Sequence, residues 1–136
     1  MNILFFLTPK SEVACISEEF TLRQTIEKME YHRYTAVPIL DRRGHYIGTL
    51  TEGDLLREIK QKYDLNLHEA EDINILQVPR RWTNDAININ CDIEDLVQVA
   101  LRQNFVPVVD DDNVFIGIIT RKAIIQYAFD HGNLSK

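Results

Sequence analysis

Two cysteines, Cys15 and Cys91, are all that this 136-residue chain contains. They are too few for a disulfide framework and lack the paired spacing of a zinc site, so they read as small apolar side chains in a reducing compartment. Catalytic signatures are missing as well: there is no H-E-x-x-H, no G-x-S-x-G, no P-loop and no G-x-G-x-x-G. The four histidines, His32, His45, His68 and His131, have no mutual ligand spacing and read as surface or packing residues. Paired acids such as Glu18-Glu19 and Asp110-Asp111-Asp112 read as turn and surface runs, so no enzyme is expected. Basic residues are short by comparison with acids, 15 against 21, and a net charge of −6 excludes the clustered, uncompensated cations of a nucleic-acid surface. The apolar run Ile3-Leu4-Phe5-Phe6-Leu7 is too short to span a membrane and lacks the basic start and cleavage site of a signal peptide. A cytoplasmic protein whose N-terminus packs on something is expected.

What the chain does contain is one pattern twice. Val37-Pro38-Ile39-Leu40-Asp41 followed by Ile47-Gly48-Thr49-Leu50-Thr51 recurs 69 positions later as Val106-Pro107-Val108-Val109-Asp110 followed by Ile116-Gly117-Ile118-Ile119-Thr120. A period of half the chain indicates a tandem duplication of one supersecondary unit. With hydrophobic residues at 45%, the two copies have enough apolar surface for a real core.

Punctuation and periodicity outline each copy. Thr21 to Gln24 is a capping-box pattern opening a helix with Leu22, Ile26 and Met29 at helical spacing and an end near Arg33. Val37 to Leu40 suits a strand buried on both faces. Asp41-Arg42-Arg43-Gly44 is turn-like, Tyr46 to Leu50 returns as a strand, and a second helix runs from Glu52 to about Lys62. With a first strand around Ala14 to Ile16, each unit reads strand, helix, strand, strand, helix. In the second copy Ile16, Leu22 and Ile26 match Ile87, Ile93 and Val97 at a separation of 71, so its first helix, expected to be capped by Asp92, is two residues shorter. Residues 1–62 therefore form repeat one with an N-terminal segment, 63–84 a packed connector with one short helix and the stretch Val78-Pro79-Arg80-Arg81-Trp82, and 85–136 repeat two.

The repeated h-P-h-h-D, G-x-x-T and G-x-x-T-x-x-D elements resemble the cystathionine-β-synthase (CBS) domain family, and the chain from Pro9 to His131 resembles one CBS pair. The resemblance implies an α+β fold of tandem β-α-β-β-α repeats packed with pseudo-twofold symmetry, a homodimer, and adenosyl ligands in clefts between repeats. It implies one cleft assembled from Glu12, Ala14, Tyr34, Thr35 and Ala36 with Gly117, Thr120, Arg121 and Lys122. The other would take Asp85, Gln103, Asn104 and Phe105 with Gly48, Thr51 and Asp54.

Gly48-x-x-Thr51-x-x-Asp54 is the complete ribose-binding pattern of that family, with the hydroxyl and the carboxylate available to sugar hydroxyls; Thr51 and Asp54 also fit an ordinary capping box. In the second repeat Ala123 stands where the Asp would be. Thr120-Arg121-Lys122 puts two cations in the first turn of a helix, against the macrodipole, which an anion bound there would explain; two side chains reaching into solvent is the alternative. Glu52 and Asp54 are expected to repel phosphate from the other helix start. Tyr34 beside Thr35 and Ala36 offers a face for a purine, or is a core tyrosine. Val13-Ala14-Cys15-Ile16, Tyr34-Thr35-Ala36-Val37-Pro38 and Thr120-Arg121-Lys122 together are similar to CBS pairs of Gram-positive bacteria that bind cyclic di-AMP, with Glu12 a departure. The resemblance thus implies a non-enzymatic regulatory protein that binds an adenine nucleotide, cyclic di-AMP ahead of AMP, ADP, ATP or S-adenosylmethionine, and acts on a partner protein in trans. The alternative is an interaction module whose clefts stay empty.

Overall fold

In the computed structural model, which describes residues 2–81 and 84–132, the order of elements is β1 (Thr8–Pro9), β2 (Ile16–Ser17), α1 (Leu22–His32), β3 (Ala36–Leu40), β4 (Tyr46–Thr51), α2 (Glu52–Tyr63), α3 (Leu67–Ala70), β5 (Ile87–Asn88), α4 (Ile93–Ala100), β6 (Phe105–Val109), β7 (Phe115–Thr120) and α5 (Arg121–Gly132). Trp82 and residues 133–136 lie outside the described residues. The chain forms two compact units, residues 14–81 and residues 2–13 with 84–132. Each has its own sheet and core.

The first unit carries the sheet β2-β3-β4, with β2 parallel and β4 antiparallel to the central β3. From Val37 to Leu40 every residue of β3 is buried, as a strand covered on both faces requires. Pro38 is tolerated in this central strand because β2 pairs only with Ile39 and Leu40 and leaves Pro38 past the end of its ladder. The Thr21–Gln24 capping box opens α1, and Arg33, in the left-handed region with φ 57°, closes it. Leu22, Met29, Val37, Ile39, Leu50 and Leu55 form the core. The connector folds onto this unit: Ala70, Ile75 and Val78 are in the same core, and the Ile73 carbonyl accepts from the Leu22 amide.

The second unit repeats these devices. β5 runs parallel and β7 antiparallel to β6, in the register of the first sheet. The two β-turns correspond bond for bond. Asp41 Oδ1 accepts from the amides of Arg43 and His45, and Asp110 Oδ1 from those of Asp112 and Val114; Gly44 and Asn113 both take positive φ, 85° and 64°. The His45 amide, together with the His45 ring, holds the Asp41 carboxyl below the usual carboxylate range.

Three features differ from the sequence expectation. The N-terminal segment, assigned above to repeat one, packs into the second unit: Ile3 and Phe6 are buried in its core and β1 adds a fourth strand antiparallel to β7. The helix α4 is three residues shorter than α1, with 8 residues against 11. Asp92 occupies its N-cap position but makes no capping bond, its carboxyl instead sharing a hydrogen bond with Asp95 that raises the latter above the usual range. Burial, reinforced by these two carboxyls, pushes the Cys91 thiol up.

Candidate functional site

In the first unit the Gly48–Thr51–Asp54 motif lies where β4 hands over to α2. Antiparallel pairing sets Ala36 opposite Thr51 and Ile39 opposite Gly48, and the Glu52 amide donates to the Thr35 carbonyl, so Thr35 and Ala36 lie beside the start of α2. Thr51 Oγ1 accepts from the Asp54 amide at 3.1 Å and Asp54 Oδ2 from the Thr51 amide at 3.0 Å. This is the capping box. Asp54 is 2% exposed. Its Oδ1 accepts from the Arg81 amide at 3.1 Å and from Arg57 Nη1 at 3.3 Å. The carboxylate expected to face sugar hydroxyls is therefore buried and engaged on both oxygens.

Arg80 covers the glycine. A Cβ built on Gly48 would lie 2.8 Å from Arg80 Nε and 3.1 Å from Cζ. Arg57 thus pairs with Asp54 and Arg80 lies over Gly48, two cations beside the acids Glu52 and Asp54 at this helix start. The motif itself contains neither cation. Arg57 was findable as the residue one helical turn after Asp54. Arg80 and Arg81 were findable from the 71-residue offset, which aligns Pro79-Arg80 with Thr8-Pro9, the segment that lies against Gly117.

Tyr34 is half-buried, its ring stacks on His32 with centroids 5.3 Å apart, and its hydroxyl accepts from the Ala14 amide at 3.3 Å. Tyr34 and Ala14 are brought together, and the tyrosine is partly a packing residue as well as a lining one. Tyr34 and Thr35 border an open groove of about 680 Å³ between α1 and α2, floored by Met29, Leu55 and Ile59.

In the second unit Thr120 Oγ1 accepts from the Ala123 amide at 3.1 Å, a one-sided cap because Ala123 cannot reciprocate. Arg121 does not stand free. Its Nε donates to the Ala100 carbonyl at 2.7 Å and its Nη2 to the Leu101 carbonyl at 3.2 Å. The guanidinium thereby caps the negative C-terminal end of α4, which accounts for a cation in the first turn of α5 without an anion. Lys122 is exposed. Gln103 is a clamp, its amide accepting from the Asp85 amide and donating to the Asp85 and Phe105 carbonyls, all at 3.0 Å. Glu12 closes a 3-10 turn in the same unit.

Among the described residues no group of three or more His, Cys, Asp or Glu side chains could hold a metal ion, and no helix is long and apolar enough to cross a membrane. The fold has known counterparts. A crystal structure of CbpB in complex with c-di-AMP superposes with a TM-score of 0.84 at 23% identity, covering 96% of this chain and 85% of that one. A structure of CBSX2 in complex with AMP gives 0.76 at 19% identity over 95% and 96% of the two chains. In sequence the chain is 26% identical over 119 residues to inosine-5'-monophosphate dehydrogenase of Methanocaldococcus jannaschii, of which it spans only 21%. The CBS domain pattern itself matches at residues 6–61 and again at 83–130, most of the chain, and with both copies of the β-α-β-β-α unit in place the protein belongs to the CBS domain family.

Proposed function

We propose that this chain is a regulatory module that binds an adenine nucleotide, cyclic di-AMP first, then AMP, ADP, ATP or S-adenosylmethionine, and alters a partner protein without chemistry of its own. One observation carries the reading. Each unit sets a Gly-x-x-Thr element at a strand end with the threonine hydroxyl at a helix start, and the first adds the Asp and places Tyr34 and Ala14 in contact. The CBSX2 and CbpB structures, whose ligands are AMP and c-di-AMP, support the ligand class. In this reading Thr51, Thr120 and Asp54 meet sugar or phosphate oxygens, Tyr34, Ala14, Thr35 and Ala36 receive the base, and Lys122 with Arg121 attracts phosphate. In this reading the protein works in the cytoplasm.

Calorimetric titration with cyclic di-AMP, AMP, ATP and S-adenosylmethionine tests this. Saturable binding to a phosphorylated adenine ligand, weakened about tenfold by Lys122→Ala, is expected. No heat with any of the four rejects the sensor and leaves the second reading, an interaction module, which the prior engagement of Asp54 and Arg121 favours.

A homodimer belongs to the same proposal. Leu101, Ile125 and Phe129, on or beside α4 and α5, are each more than 60% exposed, large apolar side chains that a second copy would cover. We expect Leu101→Asp combined with Ile125→Asp to halve the mass measured by light scattering, with the circular-dichroism spectrum unchanged. A wild type that is already monomeric at tens of micromolar removes this part.

A further inference from the structure

We infer that the segment Val78–Arg81 is an internal occupant of the Gly48–Thr51–Asp54 site, and that Arg80 selects phosphorylated over uncharged adenosine ligands there. The inference rests on the nucleotide reading above and adds a residue and a selection rule to it. Three observations carry it.

Arg80 Nε, Cζ and Nη2 lie 2.8, 3.1 and 3.3 Å from where a Gly48 Cβ would be, so the guanidinium as a whole lies over the bare backbone rather than touching it with its tip. Gly48 is the position of the motif whose missing side chain lets another group approach closely, and here that group is Arg80. The next residue supplies the second lock: the Arg81 amide takes Asp54 Oδ1, alongside Arg57 Nη1. A sugar that bonds Asp54 shares the carboxylate with that amide, through the acceptor position of Oδ2 that the Thr51 amide leaves open.

The equivalent glycine in the other unit gives the contrast. Gly117 is covered by backbone, the Thr8 carbonyl and Pro9 Cα of β1, which is laddered to β7. Lifting β1 breaks strand pairing, whereas Arg80 leaves Gly48 by rotating side-chain torsions. The first motif is openable and the second is held shut by its own strand.

Charge then decides what opens it. Arg57 is paired with Asp54, which leaves the Arg80 guanidinium over Gly48 as the cation available to a ligand. An uncharged nucleoside displaces the guanidinium and offers it nothing in return. A phosphate offers it a planar, two-pronged partner, so the displaced Arg80 becomes a ligand contact.

The test compares AMP with adenosine on wild type, Arg80→Ala and Arg80→Lys by calorimetry. Arg80→Ala is expected to weaken AMP about tenfold and to leave adenosine equal or tighter, so that the AMP-to-adenosine affinity ratio falls by about tenfold or more, with Arg80→Lys in between. In the ligand-free protein, a nuclear Overhauser contact between Arg80 and the Gly48 α-protons is expected, and its loss on adding AMP. A ratio unchanged in Arg80→Ala while wild type binds AMP overturns the inference and leaves the sensor reading standing. Absence of binding to both ligands by wild type and both variants overturns this inference, and the sensor reading falls with it only when cyclic di-AMP, ATP and S-adenosylmethionine give no heat either.

Discussion

Replacing Gly117 by alanine is expected to destabilise the second unit by about 3 kcal/mol or more, whereas the same change at Gly48 costs under about 1 kcal/mol. The two glycines hold equivalent places in the repeat, so sequence alone predicts equal effects. At Gly117, where φ is 156°, a new Cβ runs into the Thr8 carbonyl and Pro9 Cα, atoms fixed in the β1–β7 ladder. The clash is relieved only by lifting β1, and lifting β1 draws Ile3 and Phe6 out of the core, each worth about 1.5–3 kcal/mol of burial. At Gly48 the obstacle is the Arg80 side chain, which rotates away. Urea unfolding of the two variants measures the difference; equal losses would show that β1 does not hold Gly117 as described.

Asp54→Ala is expected to cost about 2–4 kcal/mol, more than a surface helix cap is worth. The capping bond to the Thr51 amide accounts for about 1 kcal/mol. The remainder comes from the Arg81 amide and the Arg57 guanidinium, which lose a buried acceptor together. Thr120→Ala, which removes a one-sided cap, should cost about 1 kcal/mol. Thermal unfolding ranks the pair, and an Asp54→Ala loss no larger than that of Thr120→Ala would mean that the connector is not anchored through this carboxylate. Binding defects of Asp54→Ala must accordingly be read at temperatures where the variant is folded.

Much of the fold was legible because its signals are local. The Thr21–Gln24 and Thr51–Asp54 boxes, the Asp-led turns and the buried β3 are each written within six residues, and duplication states every signal twice. What was not legible depends on partners distant in sequence. Ile3-Leu4-Phe5-Phe6-Leu7 is apolar, but nothing in it says which repeat it fills. Asp92 has the right side chain for a cap, and a neighbouring carboxyl claims it. Arg121 looked like a cation awaiting an anion because the orphan carbonyls at Ala100 and Leu101, which it satisfies, come twenty residues earlier. Arg80 sits in a connector with no hydrophobic periodicity, and only the 71-residue offset that aligns Pro79-Arg80 with Thr8-Pro9 hints at its contact with Gly48. The Gly-x-x-Thr motif marked the candidate site, while the partners of its oxygens are set by residues distant in sequence.

The pairing of Thr8 with Ile118 has a consequence during synthesis. Strand β1 leaves the ribosome about 110 residues ahead of its partner, an interval of roughly 5–20 s at ordinary elongation rates. The first unit's residues 14–81 are complete well before then. For those seconds Ile3 and Phe6 have no core to enter, and a nascent chain holding out an unpaired strand and two large apolar side chains is a natural client for a ribosome-associated chaperone.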